Sequence, residues 1–141
     1  MIRVTRQYRF AASHRLHSPA LSGEENRLIY GKCNNPYGHG HNYFLQICTR
    51  GPIDGETGLA LDVRVLDRLV EETLMPALCD RNLNDLPAFE RTVPTTENLA
   101  LLCEQELRRK WASWFPDGPA LVGVRIRETR RNVFETGGMR A

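Results

Sequence analysis

His39-Gly-His-Asn-Tyr-Phe-Leu-Gln-Ile-Cys-Thr49 alternates along its whole length, and its reading decides the fold. Successive side chains of a strand point to opposite faces, so His39, His41, Tyr43, Leu45 and Ile47 form one apolar row headed by two imidazoles. The segment before it, Gly31-Lys-Cys-Asn-Asn-Pro-Tyr-Gly38, is rich in turn residues and carries Cys33. An earlier stretch repeats the pattern. Ile2, Val4, Tyr8, Phe10, Ala12 and His14 share one face, and Arg3, Thr5, Gln7, Arg9 and Ser13 share the other. The second row also ends on a histidine, so two strands can direct His14, His39 and His41 into one space. The chain has only four histidines in 141 residues, which makes that convergence informative. Neutral imidazole is a preferred zinc ligand, and three protein ligands with one open position are the catalytic arrangement. Cys33 is close enough in sequence to stand beside such a metal as a thiol base, its neighbourhood favouring a thiolate. A closed structural site with Cys33 as fourth ligand is the alternative.

Outward from these strands, the spacing predicts two helices. Asp62 can cap the first, whose stripe is Leu66, Leu69, Val70, Thr73 and Leu74 and which ends near Pro76. Thr95-Thr96-Glu97 opens the second, with Leu99, Leu102, Cys103 and Leu107 as its buried stripe. Pro116-Asp-Gly-Pro119 breaks the chain before a third strand with Ala120, Val122, Val124 and Ile126 on one face. Asn132 to Thr136 reads as a short fourth strand, and residues 17–32 read as a polar loop. The order β-β-α-α-β-β predicts one α+β domain over residues 1–141, a four-stranded antiparallel sheet with two helices on one face. The open sheet face and edges favour oligomerisation.

Composition narrows the class. A formal charge of +2 demands neither nucleic acid nor a membrane as partner. The cluster Arg125, Arg127, Arg130 and Arg131 is either a solvated face or an anion site. No apolar run approaches the roughly 20 residues of a spanning helix, and the N-terminus lacks a signal peptide's apolar segment, so a cytoplasmic protein is expected. Cys48 and Cys103 fall at apolar positions as small buried hydrophobes rather than disulfide partners.

Phe10-Ala-Ala-Ser-His-Arg-Leu16, Gly31-Lys-Cys-Asn-Asn-Pro36, Gly38-His-Gly-His-Asn-Tyr43, Asn82-Leu-Asn84, Thr95-Thr-Glu-Asn98 and Arg127-Glu-Thr129 together resemble the 6-pyruvoyltetrahydropterin synthase and 6-carboxytetrahydropterin synthase family, in order and over nearly the whole chain. Five residues separate Cys33 from His39, a spacing more similar to the pyruvoyl branch. The resemblance implies the tunnelling fold, in which three subunits close their sheets into a barrel and two trimers stack as a homohexamer. It implies Zn2+ on His14, His39 and His41, with no nucleic-acid or membrane partner. The implied reaction is that of a lyase on 7,8-dihydroneopterin triphosphate, in which triphosphate is eliminated and an internal redox shift leaves two carbonyls without an external oxidant, as in tetrahydrobiopterin biosynthesis. Cys33 and Asp80 would be catalytic, and Thr95, Thr96, Glu97 and Glu128 would hold the pterin.

Two residues keep plainer explanations. Glu97 suits the first turn of a helix whatever it binds, and Asp80 can pair with Arg81. Glu128 continues an apolar alternation, and a carboxylate there needs a partner. The family places a histidine directly after its relay aspartate, whereas this run is Leu78-Cys-Asp-Arg81. Arginine holds its proton, so the relay is incomplete. Two alternatives follow: a 6-carboxytetrahydropterin synthase of deazapurine (queuosine) biosynthesis, and a catalytically impaired zinc-containing pterin-binding homologue.

Overall fold

The computed structural model describes residues 1–139. In chain order the elements are β1 (Ile2–His14), α1 (Gly23–Tyr30), β2 (His39–Gly51), α2 (Val63–Thr73), α3 (Met75–Leu78), β3 (Arg81–Asn82), α4 (Thr96–Trp114), β4 (Ala120–Arg127) and β5 (Val133–Glu135). The alternation of the first two strands is realised as one long antiparallel pair running from Ile2↔Gly51 to His14↔His39. β4 adds antiparallel to β2, and β5 to β4.

The sheet has five strands in the order β3-β1-β2-β4-β5, which corrects the expected four-stranded antiparallel sheet. The added strand is β3, which runs parallel to β1 through Ala12↔Arg81 and Ser13↔Asn82. Two residues cannot display a period of two, so the sequence carried no strand signal there.

Two helices cover one face, as the apolar stripes require. Leu66, Leu69, Val70 and Leu74 from the α2 region and Leu99, Cys103, Leu107 and Trp111 from α4 pack on Phe10, Tyr43, Leu45, Ile47, Val124 and Ile126. Leu102, expected in the α4 stripe, is only partly buried at the rim of that cluster. Both cap expectations hold: Asp62 accepts from the Arg64 N–H and Thr95 Oγ1 from the Asn98 N–H. All four cysteines are free thiols. Among the described residues, no helix is long and apolar enough to cross a membrane.

Two further expectations are corrected. Ala120 and Val122 do not share the buried face of Val124 and Ile126; Leu121 is buried instead. The register slips between Cys48 and Thr49, which pair with Gly123 and Leu121, so Val122 is the extra residue of a bulge that inverts the pattern. Residues 17–32 are not all loop, since they contain α1. Ser22 and Glu25 form a capping box at its start. Asn26, fully buried, ties it back to the preceding loop, accepting from the Ser18 N–H at 2.7 Å and donating to the Ser18 carbonyl at 2.9 Å.

The turn into β2 depends on Gly38, which has φ 73°. A Cβ there would lie 3.0 Å from the His14 carbonyl oxygen. Gly38→Ala is therefore expected to destabilise the fold by roughly 1–3 kcal/mol, read as a lowered denaturant midpoint.

Candidate active site

Strand register decides which side chains meet. His14 lies opposite His39, and Ala12 opposite His41, so three rings rise from the helix-covered face at one end of the sheet. The β2–β4 ladder ends at Phe44↔Arg127, and the next residue, Glu128, continues the face of Ile126. Its carboxylate thereby reaches the histidines. His14 Nε2 is 3.0 Å from His39 Nε2, which is 2.8 Å from His41 Nε2. His41 Nε2 is 3.0 Å from Glu128 Oε1, and His14 Nε2 is 3.9 Å from the same oxygen. One ligand atom from each of the four residues falls within 4.8 Å of all the others.

The start of α4 supports this group. His14 Nδ1 lies 2.8 Å from the Pro94 carbonyl, which can only accept, so His14 carries its proton on Nδ1 and presents a lone pair at Nε2. Thr96 Oγ1 donates to Glu128 Oε2 at 2.8 Å, leaving Oε1 turned toward the rings. Tyr43, fully buried, edges onto His14 and His41. Burial holds the pKa values of His14 and His41 below the ordinary 6.5, which favours neutral, ligating imidazoles.

These donors fit a metal ion. With Glu128 as a carboxylate, protons alone cannot satisfy the close contacts. The lone pair on His14 requires a proton on His39 Nε2, and the carboxylate requires one on His41 Nε2. Two N–H groups would then face each other across 2.8 Å. One cation at the centre removes that conflict. Three imidazole nitrogens and one carboxylate oxygen make a donor set that divalent transition metals accept. The Nδ1 atom of His39 is buried without a hydrogen-bond partner, so that ring is positioned through its contacts with His14 and His41.

Cys33 sits in the single helical turn Gly31–Asn34 and lines a cavity of about 730 Å3 that also contains His39 and His41. Its loop is fixed from behind, where the Leu16 N–H donates to the Cys33 carbonyl and Asn34 bridges the Leu16 carbonyl and His17 Nδ1. His17 is thus committed to loop structure. Burial, and then the charge of Glu128, push the Cys33 thiol up from its ordinary pKa, opposite to the expected thiolate-favouring neighbourhood.

Asp80 is elsewhere. It lines a second cavity with Ser13, His41, Asn42, Arg81 and Asn82, and the Cys33 cavity does not include it. Its backbone is left-handed at φ 59°, and its N–H donates to the Ala11 carbonyl at 2.7 Å. The Arg81 Nε donates to the Pro76 carbonyl rather than to Asp80. Thr95 is the α4 cap, and Glu97 is an exposed acid in the first turn. Sequence reasoning missed Arg15, Arg27 and Lys32, which line the Cys33 cavity. The Ser22-to-Glu25 capping-box spacing was the available signal for the helix that carries Arg27.

A family model described as 6-pyruvoyl tetrahydropterin synthase matches residues 3–138. This chain belongs to that family. It is 44% identical over 131 residues to the 6-pyruvoyl tetrahydrobiopterin synthase of Poecilia reticulata, covering 92% of this chain and 86% of the relative. The Homo sapiens protein of the same name is 42% identical, with 92% and 87% covered. The solved 6-pyruvoyl tetrahydropterin synthase of Caenorhabditis elegans superposes with a TM-score of 0.87 at 36% identity, covering 96% of this chain and 94% of that one.

Acid should act on the metal-free fold through the buried rings. A histidine whose folded pKa lies below its unfolded one contributes stability that is complete above the unfolded value and lost as pH falls through the folded value. Denaturant midpoints of chelator-treated protein should therefore decline below pH 6.5, and less steeply in His14→Gln.

Proposed function

We propose that this chain is a zinc-dependent 6-pyruvoyltetrahydropterin synthase-like lyase that converts 7,8-dihydroneopterin triphosphate with elimination of triphosphate. The observation that carries this reading is the convergence of His14, His39, His41 and Glu128, of which His39 and His41 line the same cavity as Cys33. His14, His39 and His41 would hold the zinc, which when bound supplies Lewis-acid polarisation of substrate oxygens. Cys33 takes a proton from the pterin side-chain carbon, and Asp80 assists the relay. Glu128, with one oxygen held by Thr96, offers paired acceptance to the amino edge of the pterin, and Thr95 and Glu97 flank that ring. The open sheet face suits assembly into a cytoplasmic homohexamer, a dimer of trimers closed as a barrel.

A second reading is supported by the placement of Asp80 and Arg81. Within one chain Asp80 and Cys33 line different cavities, and no titratable ring stands at 81. A pterin-binding homologue with impaired turnover fits those facts, because losing one relay member lowers rate more than binding. Product analysis of purified protein given the triphosphate separates these readings from 6-carboxytetrahydropterin formation.

Three outcomes are expected. His39→Ala should lose the near-unit zinc of the native protein, measured by metal analysis. Cys33→Ala should keep zinc and pterin binding but lose turnover by at least about a hundredfold; loss of metal instead would make Cys33 a structural ligand. A proton carrier restored beside the relay should raise the elimination rate. Arg81→His tests this in ordinary extended backbone, with Asp80 kept to orient the new ring. No gain in the folded variant that binds pterin would favour the binding role.

A further inference from the structure

Asn82-Leu-Asn84 carries no acid or base, yet its side chains are committed to the backbone around them. Leu83 is fully buried in the core, and the Asn82 side chain accepts from the Asn84 N–H at 3.1 Å, closing a tight turn. Just before it, β3 pairs with β1 through Ala12↔Arg81 and Ser13↔Asn82. That register would continue to Arg15 opposite Asn84, but the chain turns away over Leu83–Asp85. The Asn84 side chain takes the place of the missing strand. Its Oδ1 accepts from the Arg15 N–H at 2.7 Å, and its Nδ2 donates to the Arg15 carbonyl at 3.0 Å. A primary amide offers both an acceptor and a donor, which is what a neighbouring strand's backbone supplies.

The next residue is bracketed in the same manner by the thiol loop. The Leu16 N–H donates to the Cys33 carbonyl at 2.8 Å, and the Leu16 carbonyl accepts from Asn34 Nδ2 at 2.7 Å. The Arg15 Nε adds a bond to the Asn34 carbonyl at 3.2 Å. Arg15 and Leu16 are therefore a two-residue strip, with the 82–84 turn fastened to one residue and the 33–34 turn to the other. The strip begins directly after His14. Four residues upstream of it, the Ala11 carbonyl accepts from the Asp80 N–H at 2.7 Å. The acid, the first imidazole and the thiol thus all take their positions from one short run of backbone.

We propose that Asn84 is a positioning residue for Cys33: it holds the Arg15–Leu16 strip, and through that strip the turn that presents the thiol beside His39 and His41. The inference rests on the reading of Cys33 as the base given above. Proton transfer from carbon tolerates little misplacement, since a shift of about 1 Å can cost on the order of a hundredfold in rate. Both Asn84 bonds to Arg15 are at the exposed edge of the sheet, where water replaces a lost partner, so they add little to overall stability. Their effect falls on local geometry instead. Aspartate at this position would keep the acceptor for the Arg15 N–H but set a carboxylate oxygen against the Arg15 carbonyl. Alanine would give up both bonds.

The test compares Asn84→Ala and Asn84→Asp, in the full chain as purified, with Ile47→Val, a core variant outside the strip. Both Asn84 variants should keep the metal content and the KM of the native protein, while kcat falls roughly tenfold or more. Alkylation of Cys33 by iodoacetamide, resolved from the other cysteines by peptide mass mapping, should accelerate several-fold in them and not in Ile47→Val, because a loosened turn opens more often. In a Cys33→Ala background, Asn84→Ala should leave the residual rate unchanged, since it acts through the thiol. Unchanged kcat in folded Asn84→Ala overturns the proposal, as does an equal loss in Ile47→Val or a loss that persists without Cys33. Should Asn84→Ala not fold, Asn84→Asp carries the same comparisons. In a native protein that performs no elimination, faster labelling of Cys33 in the Asn84 variants supports the link and removes the lyase reading, whereas equal labelling overturns the link itself.

Discussion

The antiparallel pairing of β1 with β2 sets His14 directly across from His39 and keeps His41 on the same face, one pleat along. A slip of one residue would turn His39 and His41 to the open side of the sheet and move Tyr43, Leu45 and Ile47 out of the core with them. The burial of those three side chains and the gathering of the imidazoles are therefore consequences of one register. Hydrophobic burial supplies the free energy that fixes it, and the histidine–glutamate group that could hold a metal inherits the geometry.

The outer layers hold that geometry from both sides. From the helix side, the Pro94 carbonyl selects the His14 tautomer and Thr96 turns the Glu128 carboxylate. From the loop side, Asn34 and His17 fix the peptide that carries Cys33. Burial acts oppositely on the two kinds of group. It favours the neutral imidazole, which is the ligating form, and it favours the neutral thiol, which is the unreactive one. Cys33 thus depends on a neighbouring positive charge to become nucleophilic, and the positions of Arg15, Lys32 and the proposed metal make that dependence local.

Much of this was legible in the chain because it rests on periodicity and on caps. The long strands, the two major helices with Asp62 and Thr95 at their starts, and the histidine-headed rows all leave patterns over several residues. Glu128 was visible as a carboxylate where an apolar residue was due. What stayed hidden has no such pattern. β3 is two residues long, and its parallel pairing is a tertiary event. The bulge at Val122 reverses the inside and outside of half a strand without altering its composition. α1 buries a single residue, Asn26, so it lacks the apolar stripe by which helices are read. The Pro94 carbonyl that orients His14 is backbone, and sequence does not distinguish one carbonyl from another.

Asp80 adopts a left-handed backbone where α3 gives way to β3. Asparagine, aspartate, histidine and glycine enter that conformation at modest cost, whereas valine, isoleucine and threonine are excluded by their branched Cβ. Its neighbour Arg81 is in extended backbone and faces no such filter. Variation at the two positions is therefore under different rules. At 81 chemistry alone decides which side chain is kept, while at 80 the chain's path has reduced the alphabet to a few letters before any reaction is consulted.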